Sequence, residues 1–219
     1  MSETIAVIGA LDTKGSEFAF VKGEIGRRGH RALVINTVVV GDPAFEPDTP
    51  ASRVAEAGGV SLEELREKGD RGVAMDVMAR GVAVLVKELH DEGKLDAVLG
   101  MGGTAGTAVS TSAMRALPVG VPKVVVSTVA SGGTSRYVGT KDVVMVPSIV
   151  DVAGINRISA RIYANAVGAG LSWYLDQTFA TVAGRCEMDV LPAVGPAPLT
   201  ENPRAGSTSS HTSSPSLPR

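Results

Sequence analysis

Residues 95–107 of the chain read LDAVLGMGGTAGT. The apolar run Ala97–Met101 is typical of a buried strand, and the glycines and threonines after it lead into a small-residue segment that is predicted to be a helix. A strand that passes through a glycine-rich loop into a helix makes an anion site, because the first N–H groups of a helix have no partner within it. The stretch therefore predicts an α/β domain that binds phosphate or a nucleotide.

The rest of the sequence repeats this alternation of strand and helix. Strands are predicted at Thr4–Ile8, Arg31–Val40, Ala97–Met101, Lys123–Thr128 and Val143–Val146. Helices are predicted at Ser16–Arg28, in a short segment from Ser61, at Asp70–Glu92, from the glycine loop to Ala116, and at Asp151–Leu171. This order predicts a doubly wound, mainly parallel sheet in a Rossmann-like three-layer α/β sandwich. Ligands of such sheets bind at the C-terminal ends of the strands.

Three parts follow one another along the chain. Residues 1–171 are predicted to form the α/β domain. Residues 172–191 are ambiguous, since their aromatic side chains either pack on the domain or belong to a separate fragment. Residues 192–219 contain six prolines and six serines. Because such a segment buries too little apolar surface to offset its ordering entropy, we expect a disordered tail.

Charge and composition exclude several classes of protein. The formal net charge of −2 argues against a nucleic-acid-binding surface. Cys186 is the single cysteine, which suits a reducing compartment, and the three histidines have no metal-ligand spacing. No apolar run approaches the roughly 20 residues that cross a bilayer. We therefore expect a cytoplasmic protein without a metal site that binds neither nucleic acid nor membrane.

The loop after the first strand, Gly9–Gly15, carries Asp12, Thr13 and Lys14. It is not a P-loop, because Lys14 precedes the second glycine instead of following it. At the end of a strand, Lys14 could pair with a phosphate and Asp12 could hold a ribose hydroxyl or a metal-bound water. The alternative is a polar turn that only caps the next helix.

The glycine loop Gly100–Thr107 contains the dinucleotide pattern Gly-x-Gly-x-x-Ala, but no acidic residue follows at the spacing that an NAD site requires. Backbone N–H groups together with the hydroxyls of Thr104 and Thr107 fit a phosphate better. The alternative is that the glycines serve only close helix–strand packing.

A third polar loop, 127–139, contains Ser131, Arg136 and Tyr137. Arg136 could clamp a phosphate and Tyr137 could stack on a base. Alternatively, this is a surface loop with Tyr137 folded onto the core.

Several separate motifs, in the same order, resemble the Tm-one-like ATP-binding domain family over roughly residues 3–170. These motifs are 5–15 (IAVIGALDTKG), 41–48 (GDPAFEPD), 51–72, 124–139 and 151–169. The family contains bacterial and fungal proteins and the plant protein that confers resistance to tobamoviruses. The resemblance implies a two-part α/β protein that binds ATP and forms homodimers; in the plant member the domain inhibits viral RNA replication by binding the replication protein. Family members continue into a second α/β part, so we expect a truncated chain here.

By similarity, residues 12–15 and 102–107 face the nucleotide. The family loop usually has serine and glycine where this chain has Thr104 and Ala105. Threonine keeps the hydroxyl, whereas Ala105 adds a methyl group where the backbone needs room, so we expect an effect on affinity more than on fold.

The sequence thus predicts an ATP-binding domain, with or without Mg²⁺, whose catalytic activity is open. The alternatives are a hydrolase or lyase that acts on a small phosphorylated or carboxylated substrate, and a protein-interaction module with a degenerate site. The predicted ligand-binding residues are Asp12, Thr13, Lys14, Gly102, Gly103, Thr104, Gly106, Thr107, Ser131 and Arg136.

Overall fold

The computed structural model describes residues 2–149 and 154–168. The strands of this part are β1 (Thr4–Gly9), β2 (Arg31–Asn36), β3 (Ala97–Gly102), β4 (Lys123–Ser127) and β5 (Val144–Pro147). Its helices are α1 (Gly15–Arg27), α2 (Ala51–Ala57), α3 (Leu62–Lys68), α4 (Arg71–Asp91), α5 (Thr104–Ala116), α6 (Ser135–Val138) and α7 (Arg157–Asn165). The segments 172–191 and 192–219, for which the sequence predicts a divergent region and a disordered tail, lie outside the described residues.

All five strands form one parallel sheet in the order β2-β1-β3-β4-β5. The chain runs from β1 outward to β2 and then crosses back to place β3 on the other side of β1. The strand order therefore reverses between β1 and β3, which leaves a crevice beyond the C-terminal ends of these two strands. This topology confirms the doubly wound α/β fold predicted from the sequence.

Side chains that alternate along the strands supply the two apolar cores of the sandwich. Ile5 and Val7 of β1 pack with α1 and α7 on one face of the sheet, with Phe18 of α1 at the centre of that layer. Ala6 and Ile8 pack on the opposite face, against α2, α3, α4 and α5. The sheet is thus covered on both faces, as its continuous apolar strands require.

Two predicted element boundaries are wrong. The second strand ends at Asn36 instead of Val40, because the Asn36 side-chain oxygen accepts the backbone N–H of Val38 at 3.2 Å and turns the chain out of the sheet. The last helix begins at Arg157, where Asn156 forms a capping box with Ser159. Asp151, its predicted start, lies outside the described residues.

The sequence also misassigns the inward face of the last helix and misses two short helices. Apolar residues at helical spacing within the predicted helix Asp151–Leu171 are expected on its inward face, and Ile155 and Ile158 belong to this set. Both are exposed, whereas Tyr163 is buried. The sequence predicts no helix at 51–57, and α6 falls within the predicted loop 127–139. Neither short helix has the length that a hydrophobic period needs in order to be recognised.

Lys123 is fully buried at the start of β4, at the edge of the sheet opposite the strand C-termini. Its ammonium group donates to the carbonyl oxygens of Pro118 and Val121, each at 2.7 Å, and to the Asp142 carboxylate at 2.8 Å. Burial by itself would raise the pKa of Asp142, but hydrogen bonds from Lys123 and from the Gly120 N–H hold that pKa below its ordinary value. This ion pair therefore stabilises the N-terminal end of β4, at the edge of the sheet away from the strand C-termini. Among residues 2–149 and 154–168, no helix is both long and apolar enough to cross a membrane.

Candidate functional site

A cavity of about 750 Å³ opens beyond the C-terminal ends of β1, β2 and β3. Ala10 and residues 12–14 line it after β1, and residues 37–40 line it after β2. Residues 101–106 line it where β3 passes into α5, together with Val109 of α5. Leu65 of α3 and residues between Gly69 and Met78 of the α3–α4 junction form the remaining wall. The cavity therefore lies at the reversal of strand order, where doubly wound folds bind their ligands.

Seven of the ten predicted ligand-binding residues line this cavity: Asp12, Thr13, Lys14, Gly102, Gly103, Thr104 and Gly106. They come from two segments that lie about 90 residues apart in sequence and meet because β1 and β3 are parallel neighbours. The structure thus brings together the first two of the three polar loops that the sequence indicates.

The glycines of the loop serve two purposes. Gly102 has φ of +150°, and a Cβ there would lie 3.2 Å from the Cα of Gly106. A Cβ on Gly106 would lie 3.0 Å from the carbonyl oxygen of Met101, and Gly100 leaves room for Ser110 of α5. These three glycines allow the loop and helix to pack closely on β3. At Gly103, in contrast, the nearest atom to an added Cβ is a hydroxyl oxygen 3.6 Å away, so its backbone is open to the cavity.

The N-terminus of α5 forms one end of the cavity. Gly103 is its N-cap residue and offers no side chain to cap the helix. The first intrahelical bond runs from the Thr107 N–H to the Gly103 carbonyl at 2.9 Å. The N–H groups of Thr104, Ala105 and Gly106 precede that bond and have no acceptor within the helix. Together with the helix dipole, they favour an anion at this end.

Two cationic and two anionic side chains line the same cavity: Lys14, Arg71, Asp12 and Asp70. One oxygen of Asp12 accepts the Thr13 backbone N–H at 2.7 Å, and one oxygen of Asp70 caps α4 by accepting the N–H of Gly72 at 2.8 Å. Both carboxylates are exposed where they line the cavity, so a ligand can reach them. Sequence reasoning missed Arg71, whose only signal is its place in the first turn of a predicted helix.

Thr107 does not line the cavity. Its side chain is fully buried, and its hydroxyl lies 2.8 Å from the Gly103 carbonyl oxygen and 2.6 Å from the Ser127 hydroxyl. It thus ties the start of α5 to the end of β4 and has no exposed surface for a ligand.

Ser131 and Arg136 also lie outside the set of lining residues. The Arg136 guanidinium donates to the Tyr137 hydroxyl at 2.7 Å and lies 4.7 Å from the centre of the Tyr137 ring. Tyr137 itself is buried. The burial of Tyr137 agrees with the alternative in which this side chain folds onto the core, and the binding of phosphate by Arg136 stays a prediction.

Metal-binding groups are sparse. Within the described part of the chain, no cluster of three or more His, Cys, Asp or Glu side chains is placed to hold a metal ion.

Comparison with known proteins identifies the family of this domain. Residues 3–174 match the N-terminal domain of the uncharacterised protein family UPF0261. A UPF0261 protein of Clostridium tetani is 47% identical over 169 residues, which cover 77% of this chain and 42% of the relative. A UPF0261 protein of Mesorhizobium japonicum is 38% identical over 75% of this chain and 41% of its own length.

The plant relative suggested by the motifs is similar over a shorter stretch. The ToMV resistance protein Tm-1 of Solanum lycopersicum is 46% identical over 99 residues, which cover 45% of this chain and 13% of that protein. The chain spans about two-fifths of the length of the bacterial relatives it matches. On this evidence the chain belongs to the UPF0261 family, and residues 3–174 are its N-terminal domain.

Proposed function

We propose that the cavity binds the phosphate groups of a nucleotide, with ATP as the leading candidate. The observation that supports this proposal most directly is the uncapped N-terminus of α5, which opens into the same cavity as Lys14 and Arg71. Helix N–H groups that have no acceptor within their helix, in a cavity that two cations also line, are a favourable environment for a polyphosphate.

Individual residues take different parts in this arrangement. The open backbone at Gly103 lets a phosphate approach the N–H groups of the first turn of α5, and the exposed Thr104 hydroxyl adds a donor. Lys14 and Arg71 neutralise the charge of the phosphates. Asp12, Asp70 or both would hold Mg²⁺ together with the phosphates, since nucleotide sites bind this ion with one or two carboxylates.

Titration calorimetry with ATP, with and without Mg²⁺, tests the proposal on the full chain. Lys14→Met removes a cation from the cavity, and we expect an affinity loss of about ten- to a hundredfold. Lys22→Met is the matched control, since Lys22 lies on α1 outside the cavity and pairs with Asp48 at 3.6 Å. The proposal fails if wild-type protein shows no saturable binding, or if both variants bind ATP as wild type does.

A second candidate is a hydrolase or lyase that acts on a small phosphorylated or carboxylated substrate. Asp12 favours it, because an exposed carboxylate that lines the same cavity as the N-terminus of α5 is placed to act as a general base. Product detection with phosphorylated and carboxylated compounds, compared between wild type and Asp12→Asn, tests this candidate. Turnover that persists in the variant would exclude Asp12 as the base.

We also propose that the protein works as a homodimer in the cytoplasm. The family resemblance supports the dimer, and the single cysteine suits a reducing compartment. Light scattering of the purified chain and fractionation of cells test the two proposals separately.

A further inference from the structure

The cavity changes chemical character across the sheet. In the strand order, β1 lies between β3 and β2, so the ends of β3 and β2 are two strand spacings, or about 10 Å, apart. The end of β3 presents backbone N–H groups, and the end of β1 presents Asp12, Thr13 and Lys14. The end of β2 presents Thr37 and then three valines, Val38, Val39 and Val40. A ligand that follows the strand ends therefore passes from an anion-binding end to an end at which three of the four residues are apolar, the apolar end.

The valine segment is held in a fixed position. The Thr37 N–H donates to the Gly9 carbonyl at 3.0 Å, and the Val38 N–H donates to the Asn36 side chain at 3.2 Å. Arg66 of α3 donates to the Val39 carbonyl at 2.7 Å. Val40 is nevertheless 74% exposed at the cavity. An exposed valine on a backbone tied by three such bonds offers a preformed apolar surface.

The wall opposite the sheet also contributes apolar side chains. Its apolar residues are Leu65, Ala74, Met75 and Met78, of which Met78 is almost fully buried. The same wall also carries Asp70 and Arg71, the two charged residues that the proposed function assigns to the phosphates and Mg²⁺. Methionine side chains adapt their shape to a bound group and form no strong hydrogen bond with it. None of the described residues that line the cavity is an aromatic, a histidine or an amide.

We propose that this apolar end holds the base of the nucleotide by shape and burial, without reading its hydrogen-bonding edge. The inference rests on the proposed nucleotide site and adds a ligand class to it: nucleoside triphosphates, with little discrimination among bases. An apolar pocket rejects a polar analogue of similar shape only weakly, whereas strong selectivity requires buried hydrogen-bonding partners.

Titrations with ATP, GTP, CTP and inorganic tripolyphosphate test the proposal. We expect the three nucleotides to bind within about tenfold of one another. Tripolyphosphate should bind at least about tenfold more weakly than ATP, because it leaves the apolar end empty. Val40→Ser should weaken ATP binding by about three- to tenfold and leave tripolyphosphate binding unchanged. Val119→Ser is the matched control, because Val119 is 73% exposed and lies outside the cavity.

The outcomes separate the two proposals. Tripolyphosphate that binds as tightly as ATP, or ATP that binds more than about a hundredfold tighter than GTP, overturns the apolar base site while the phosphate site stands. Equal effects of Val40→Ser and Val119→Ser on ATP also overturn it. Failure of all four compounds to bind overturns the phosphate site and the base site together.

Discussion

Replacing Thr107 by valine tests whether this residue binds the ligand, as the sequence predicts, or ties α5 to β4, as its buried position indicates. Valine has nearly the same shape, so the change removes one hydroxyl without opening a cavity. That hydroxyl donates to the Gly103 carbonyl at 2.8 Å, and the hydrogen shared with Ser127, 2.6 Å away, is therefore donated by Ser127. The Gly103 carbonyl keeps the Thr107 N–H at 2.9 Å as a partner. Ser127, in contrast, is left with a buried hydroxyl hydrogen that has lost its acceptor.

The free-energy cost follows from these contacts. One neutral hydrogen bond contributes about 0.5–1.5 kcal/mol, and an orphaned buried donor adds a desolvation penalty, so we expect Thr107→Val to lower the free energy of unfolding by about 1–3 kcal/mol. Urea unfolding followed by circular dichroism measures this loss, with the m-value unchanged. ATP affinity should stay within about threefold of wild type, because the Thr107 hydroxyl does not contact the ligand. The loss of a hydrogen bond to the phosphates would lower the affinity by more than this.

Thr104→Val, in the same helix, should have the opposite effect and change ATP affinity instead of stability. Thr104 is exposed and lines the cavity, so its replacement should leave stability within about 0.5 kcal/mol of wild type while it weakens ATP binding. If Thr107→Val instead abolishes binding at unchanged stability, the reasoning is refuted and the sequence-based placement of Thr107 in the phosphate site is correct.

Three other perturbations probe separate parts of the molecule. Arg71→Met should weaken ATP binding by about tenfold and flatten its dependence on salt, as calorimetry at several ionic strengths will show; an unchanged affinity would remove Arg71 from the site. Asp142→Asn takes the counter-charge from buried Lys123 and should lower stability at pH 7. Because the pKa of Asp142 is depressed in the folded state, its contribution is present above the unfolded-state value near 4 and is lost as pH falls through the folded-state pKa. The difference between wild type and variant should therefore shrink in acid unfolding curves, and a constant difference would contradict the assignment. Gly81→Ala places a methyl group against a carbonyl of α2 and should cost about 1–3 kcal/mol. Gly23→Ala in α1 meets no atom and should stabilise the protein by about 0.5–1 kcal/mol, so equal melting shifts would argue against the packing of α4 on α2.

The alternation of strands and helices could be predicted because each buried strand is a continuous apolar run. The strand order could not, since no local pattern in Thr4–Ile8 or Ala97–Met101 states that the two strands are neighbours. For the same reason the sequence places Lys14 and Thr104 at strand ends but cannot show that they share a cavity. Arg71 was missed because about 60 residues and three helices separate β2 from β3, and only tertiary packing returns the start of α4 to the sheet.

Within the glycine loop, position along α5 accounts for what the sequence could not resolve. Thr104 and Thr107 are three residues apart and are neighbours on one side of the helix. Thr104 is the exposed first residue of α5 at the cavity, whereas Thr107 lies one turn further in, where it is buried against Ser127 at the end of β4. The positions of Ser131 and Arg136 relative to the cavity could not be predicted either, because a loop sequence has no periodic pattern that fixes where its residues lie.

At Ala105 the glycine loop combines close packing on β3 with a backbone that can bind an anion. Ala105 is part of the cavity lining, in a position where the resemblance inferred from the sequence implies glycine. Side chains of a helix lean toward its N-terminus, so the methyl group of Ala105 reduces the space beside a bound phosphate. The anion, however, is held by N–H groups of the backbone, and alanine retains its N–H. Close packing constrains Gly100, Gly102 and Gly106, each of which would place a Cβ against the protein itself, whereas position 105 faces the cavity. The substitution therefore changes the shape available to the ligand and leaves the hydrogen-bond donors of the site in place.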